Sequence, residues 1–279
     1  MPELPEVETM RRGIAPVVGA RIAAVERPRC RLRPILLSPS RLPQWRQQLV
    51  GATITGTSRA GKRVIVELGS GDRLVFEPRM TGLVLLADPP DKEHLRLRIM
   101  LAGQGARQLL FWDRRGLGSA RLLTAAQFAA AYGLDKLGPD ALEITDEQLR
   151  DRLKRSRRAI KVALLDQRAL AGVGNLYASE ILHLCGIHPA RRCDRLSRGD
   201  WQAVVAAMRD VLTTAIRYEG STLADGTYRN ALNQAGGYQN HHRVYDRADA
   251  ACTRCRAGRV VRIVQAQRST FYCPQCQKK

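Results

Sequence analysis

A chain of 279 residues with 46 Lys or Arg against 26 Asp or Glu, a net charge of +20, has length for two modest cores and favours a polyanionic partner. Nucleic acid leads; an anionic membrane surface is second. No stretch approaches the ~20 uninterrupted apolar residues of a membrane span, and the acidic start has neither the basic nor the apolar region of a secretory leader, so the expectation is a soluble cytoplasmic (nucleoid-associated) monomer.

The chain opens MPELPEVET, placing Glu3, Glu6 and Glu8 with Pro2 and Pro5 at the head of an otherwise basic sequence. The spacing predicts a helix from Pro5 to about Val18, with Pro5 at its first position, Glu6 and Glu8 in a first turn that suits negative charge, and Pro16 limiting its end. Short apolar runs follow (RIAAVE, ATITGTS, KRVIVELG, RLVFEP, GLVLLA, LRLRIML, RQLLFW), separated by Gly, Pro and Asp turns. About seven strands at this spacing predict an antiparallel sandwich or barrel.

The pattern turns helical near residue 135. Thr145 with Gln148 reads as a capping box, Ser156 as the cap of RRAIKVALLDQ, and LYASEILHLC as a helix stopped by Gly186; Ser197 begins a long helix through WQAVVAAMRDVLTTAIRY. Residues 221–242 are polar and Gly-rich and read as one long loop.

Cys252-x2-Cys255 and Cys273-x2-Cys276, seventeen residues apart, have the spacing of a four-thiolate zinc site with a hairpin between the pairs. Two disulfides are the rival, disfavoured inside a cell. Four thiolates leave no open position, so the one zinc is expected to be structural, steadying a segment from His241 to Lys279 that carries nine Lys or Arg against two Asp. Cys30, Cys185 and Cys193 are read as free thiols.

Between Arg150 and Arg168 lie eight basic and two acidic residues, and AGVGN follows. A Gly-rich turn entering a helix offers backbone N–H groups to an anion, and Asn175 adds a side-chain donor. Taken alone, two glycines there are as often mere turn chemistry.

Removal of Met1 would give Pro2 a free secondary amine, whose pKa near ~7.7–8.0 makes it a better nucleophile at neutral pH than a lysine near ~10.4. Attack on a sugar C1′ gives an iminium that cannot lose an N–H proton, so it draws electrons from C2′ and eases loss of the 3′ phosphate. Glu3 could protonate the sugar ring oxygen. The alternative is that Pro2 and the glutamates only start a helix.

MPELPEVET, LAGVGNLYASEIL and QAQRSTFYCPQCQ together closely resemble the formamidopyrimidine-DNA glycosylase family, over nearly the whole chain from Pro2 to Cys276. The resemblance implies an α+β fold: an N-terminal helix plus antiparallel β-sandwich (2–134), a helix-two-turn-helix bundle (135–240) and a zinc finger (241–279). It implies a base-excision-repair enzyme that excises oxidised purines (formamidopyrimidines, 8-oxoguanine) from double-stranded DNA and cleaves the abasic site by β,δ-elimination. By position, it makes Pro2 the Schiff-base nucleophile, Glu3 the proton donor and Lys62 a phosphate contact that assists elimination. Met80 becomes the residue filling the gap left by the flipped base. Asn175 and Arg268 become clamps on flanking phosphates, with Arg268 also in the second elimination, and Lys161 a contact near the lesion. Where the family writes D-P-R-R-F-G this chain has Asp113-Arg114-Arg115-Gly116-Leu117-Gly118, which keeps Arg115 but puts Leu117 in place of an aromatic wedge. Arg79 stands where glycine is usual, and Lys92 where a DNA-contacting histidine is common. The rivals are an endonuclease VIII-like enzyme of different lesion range and a non-catalytic zinc-finger DNA-binding protein, which would have no use for a free Pro2 beside Glu3.

Overall fold

The computed structural model describes residues 2–133 and 135–278. They form two compact units, one holding the chain up to Gly133 together with Tyr218–Gly237, the other the chain from there to Arg217 and from Tyr238 onward.

In the first unit α1 (Leu4–Gly13) begins one residue earlier than expected and gives way to a 3-10 turn, Ala15–Val17, that accommodates Pro16. The seven expected strands form, as β1 (Arg21–Glu26), β3 (Ile54–Ala60), β4 (Arg63–Leu68), β5 (Arg73–Glu77), β6 (Gly82–Leu85), β7 (Leu95–Ala102) and β8 (Gln108–Asp113). Two more were not legible: β2 (Leu36–Ser38) and β9 (Ser119–Leu123), as were the helices α2 (Leu42–Leu49) and α3 (Ala125–Tyr132). The strands make two sheets, ordered β1-β7-β8-β6 and β2-β9-β5-β4-β3, antiparallel throughout except for β2 beside β9.

Alternation decides which face each residue covers. Val64 and Val66 of β4 join Leu74 and Phe76 of β5, Val7 and Met10 of α1, and Ile14 just after it in the main core. Ile65 and Val75 point the other way, under Phe128 and Tyr132 of α3. Both faces of the five-stranded sheet are thus covered here, which is why β4 reads as an unbroken apolar run.

The second unit contains α4 (Asp146–Leu153), α5 (Ile160–Leu164), α6 (Asn175–Cys185), α7 (Arg198–Arg217) and the hairpin β10 (Val261–Gln265) with β11 (Arg268–Tyr272). The capping box of α4 forms, with Gln148 N–H donating to Thr145 Oγ1 at 3.1 Å and Thr145 N–H to Gln148 Oε1 at 3.1 Å. Ser197 caps α7 by accepting Asp200 N–H at 3.1 Å, and Gly186 ends α6 at φ +76°. The helix expected from Ser156 is shorter: Ser156 Oγ accepts from Arg158 N–H and Nε, and α5 starts only after Ala159. Of the expected loop, the part to Gly237 belongs to the first unit, where Ser221 N–H donates to Glu6 Oε1 at 2.9 Å and Leu86 N–H to the Ala231 carbonyl at 2.9 Å. Among the described residues no helix is long and apolar enough to cross a membrane.

Candidate active site and nucleic-acid interface

Pro2 and Glu3 lie buried at the head of α1, Glu3 with 3% of its surface exposed. Glu6, one turn on, accepts Glu3 N–H on Oε2 at 2.8 Å, so the proposed acid's backbone is fixed by the helix it precedes. Glu8 anchors the same helix to the sheet. It accepts Arg11 Nη2 at 2.7 Å and Arg12 Nε at 2.8 Å on one oxygen and Arg59 Nε at 3.2 Å on the other. Burial raises its pKa, but the Arg11 and Arg12 hydrogen bonds and the charges of Arg11 and Arg59 outweigh it and hold the carboxylate below its ordinary value. Arg59 Nη1 also donates to the Gly61 carbonyl at 3.0 Å. Gly61 and Lys62 form the two-residue turn between β3 and β4, so Glu8 and Arg59 tie α1 to the turn that carries Lys62.

Two neighbouring loops of this unit are knitted by one buried carboxylate. Asp113 accepts Thr81 Oγ1 at 2.5 Å and Arg115 N–H at 3.2 Å on Oδ1, and Gly118 N–H at 2.7 Å on Oδ2. Met80, 38% exposed, precedes Thr81, and Leu117 lies between the Arg115 and Gly118 contacts to Asp113, Arg115 exposed and Leu117 half-buried. Gly116 is at φ +62°, where a Cβ would come 2.3 Å from the Arg33 carbonyl oxygen. Lys92 is exposed nearby in sequence; His94, passed over in the sequence, is held by Asp91 at 2.8 Å and edge-on to Trp112.

In the second unit the GVGN turn is braced by Gln167, whose Oε1 accepts Gly172 N–H at 3.0 Å and whose Nε2 donates to the Val173 carbonyl at 2.9 Å. Asn175, first residue of α6, donates Nδ2 to the Ser269 carbonyl at 2.9 Å. Lys161 is enclosed rather than displayed at the surface. It is 1% exposed, and its Nζ donates to Asn175 Oδ1 at 2.6 Å, Thr270 Oγ1 at 2.7 Å and the Ser269 carbonyl at 3.1 Å. A buried ammonium needs such acceptors to offset its lost hydration, so as placed it fastens Asn175 to the hairpin. Arg268 precedes Ser269 and is exposed. Its turn residues, Ala266 at φ +46° and Gln267 at φ +60°, are both left-handed, as a two-residue hairpin of this twist requires.

The four expected thiols converge, their sulfurs all within 4.8 Å of one another. The Cys252–Cys276 and Cys255–Cys273 pairs are 3.7 and 3.8 Å apart, close to the ~3.8 Å edge of a tetrahedron with ~2.3 Å zinc–sulfur bonds. Gly258 N–H donates to Cys255 Sγ, the leading cause that lowers its thiol to about 6, whereas burial and the neighbouring thiols push Cys276 to about 12. So crowded a set cannot ionise fully without a cation among the sulfurs. His183 Nε2 lies 3.2 Å from Cys252 Sγ, and burial holds its pKa down to about 4, leaving a neutral ring to support that thiolate. The donor set fits one structural zinc.

Family models match the chain in three consecutive blocks: formamidopyrimidine-DNA glycosylase N-terminal domain over residues 1–120, formamidopyrimidine-DNA glycosylase H2TH domain over 137–226, and the zinc finger found in FPG and IleRS over 251–279. The chain belongs to the formamidopyrimidine-DNA glycosylase family. It is 38% identical to the formamidopyrimidine-DNA glycosylase of Chloroflexus aggregans, covering 99% of this chain and 98% of that one, and 40% identical to that of Thermomicrobium roseum, covering 99% of both. Among solved structures it is similar to a Lactococcus lactis FPG mutant in complex with Fapy-dG-containing DNA, with TM-score 0.87 at 33% identity and full coverage of both chains. A Lactococcus lactis Fpg complex with abasic-site DNA gives TM-score 0.86 at 32% identity, covering 99% of this chain and 100% of that one. Membership makes this chain a DNA glycosylase of base-excision repair, with one structural zinc in its finger.

Within the formamidopyrimidine-DNA glycosylase frame, the departure at Arg79 has a physical cost. Its φ is +54°, a region that favours glycine, and a non-glycine residue there loses about 1–2 kcal/mol. Arg79 Nε pairs with Glu77 at 3.0 Å, a partial offset. Thr81 and Gln167 were not singled out from sequence, and Glu6 and Asp113 were named there without the long-range contacts they make. Glu6 meets Ser221 across 215 positions, so no local pattern signals it.

Proposed function

We propose that this chain is a bifunctional glycosylase that excises oxidised purines from duplex DNA and then cleaves the abasic site by β,δ-elimination. The supporting observation is the buried Pro2–Glu3 pair at the head of a helix tied, through Glu8 and Arg59, to the turn that carries Lys62. Once Met1 is removed, the Pro2 nitrogen attacks C1′ and the damaged base departs with its bonding electrons and a proton. Glu3 protonates the ring oxygen, the ring opens, and the iminium stays charged because the secondary amine has no further proton to lose. Loss of a C2′ proton expels the 3′ phosphate; a second elimination expels the 5′ phosphate. Lys62 and Arg268 assist these departures as cations near the leaving phosphates, Asn175 orients a phosphate flanking the lesion, Met80 occupies the gap left by the flipped base, and Arg115 binds DNA. Lys92 adds an exposed charge toward the backbone, and protein held on DNA in this way would sit on the nucleoid.

Borohydride should trap the enzyme covalently on abasic-site DNA, with the adduct mapping to Pro2. Protein that keeps Met1 should not be trapped although folded and zinc-loaded. Glu3→Gln should lose base excision far more than cutting of a preformed abasic site. Efficient trapping of Met1-bearing protein would move the nucleophile to a lysine, first of all Lys62.

A further inference from the structure

In the first unit a pocket of about 280 Å³ is walled by Arg27, Arg29, Cys30 and Arg96 with Pro28, Leu32, Pro34 and Ile35, and no carboxylate lines it. Arg96, on β7, is only 3% exposed. Its Nε donates to the Asp113 carbonyl at 2.8 Å and its Nη1 to Cys30 Sγ, while Nη2 is buried without a hydrogen-bond partner among the described residues. Arg27 and Arg29 are exposed. A guanidinium taken out of water is costly unless an anion and its remaining donors are satisfied, and here the protein supplies a carbonyl and a thiol but no counter-charge. A planar fork with an unused donor, in a pocket also lined by Arg27 and Arg29, is a donor set suited to a tetrahedral oxyanion.

We propose that this pocket is a binding site for a phosphate-class oxyanion, held by Arg96 from within and by Arg27 and Arg29 from the rim, with Cys30 Sγ at its edge. The phosphate comes either from solution or from a DNA backbone. The pocket also backs the loop rooted at Asp113, since Arg96 Nε holds the Asp113 carbonyl and the Arg33 carbonyl abuts Gly116. A bound anion therefore fixes the segment that presents Arg115 and Leu117. The inference does not rest on the glycosylase reading, because it is tested without damaged DNA or turnover.

Half-buried Cys30 provides a local reporter. In zinc-loaded full-length protein, iodoacetamide modification of Cys30 is followed by peptide mapping in sodium phosphate and in sodium chloride of equal ionic strength. Phosphate should slow it by about elevenfold at ten times its dissociation constant, and raise Tm; chloride should do neither. The pair Arg27→Gln with Arg29→Gln should lose the protection, whereas Arg41→Gln with Arg107→Gln, which removes the same charge from exposed sites, should keep it. Cys30→Asp, which sets a carboxylate against Arg96, should no longer gain Tm from phosphate. Equal protection by chloride, equal loss in the control pair, or an undiminished Tm response in Cys30→Asp would each overturn the site. Undamaged duplex separates the sources: if DNA alone protects Cys30 and phosphate adds nothing, the occupant is a backbone phosphate; if phosphate still protects with duplex bound, it is the free ion.

Discussion

Leu117 stands where the resemblance to the family implies an aromatic wedge. It is half-buried on a loop whose shape is dictated by Asp113 and Gly116, and it borders a pocket of about 510 Å³ shared with Leu36 and Arg79. An aliphatic side chain fills space there but offers no ring face to a base, and base–aromatic stacking is worth roughly 1–3 kcal/mol. Leu117→Phe should therefore change the ratio of 8-oxoguanine excision opposite cytosine to that opposite adenine by at least about fivefold, for which the pocket leaves room. An unchanged ratio would show that this position does not read the opposite base. The same scale shows where sequence reasoning stops. A lysine in a basic stretch reads as a surface contact because lysines are almost never fully buried, yet Lys161 is enclosed by three acceptors from two segments, one of them more than a hundred positions away. Arg79 was noted only as standing where glycine is usual; its left-handed backbone, φ +54°, is what the structure adds.

Among the elements, the strands with clear apolar runs and the helices α4, α6 and α7 were legible from local signals, whereas α3 was missed although Thr124 and Gln127 form a capping box like that of α4. The short ones were not: β2 has three residues, and α2 has only Trp45 and Leu49 to bury. The helix α5 was overestimated because Ser156 spends its oxygen on Arg158. The zinc site was legible in full from cysteine spacing, and the β10–β11 hairpin follows from it. What spacing did not reveal is that the hairpin tip uses Ala266 and Gln267 where Asn and Gly are the favoured residues. Replacing them, Ala266→Asn with Gln267→Gly, should stabilise zinc-loaded protein by about 1 kcal/mol in denaturant titration by relieving left-handed strain. A loss of stability would mean that the tip residues make contacts worth more than the strain.

Across the whole molecule, the two units should respond to acid in sequence. In the second unit, burial holds His242 down to about 4 from an unfolded value near 6.5. A histidine whose folded pKa is depressed contributes stability that is full above 6.5 and is lost as pH falls toward 4. In the first unit Glu8 is depressed below 4.5, so its contribution is present above that value and fades only at lower pH. Hydrogen exchange should show protection falling between pH 6.5 and 5 at Val244 and Tyr245, whose N–H groups donate to Glu180, while β4 holds until below about pH 4.5. His242→Phe should shrink the early loss; simultaneous loss in both units from the wild type would contradict the assignment. The connectivity of the first unit has another consequence. Because Tyr218–Gly237 completes it, the Leu86 amide meets the Ala231 carbonyl and Glu6 meets the Ser221 amide only after the whole of α4 to α7 has been translated. The nascent N-terminal half must therefore wait on the ribosome with a wall missing, and a gene cut after Gly133 encodes a domain that lacks its own last piece.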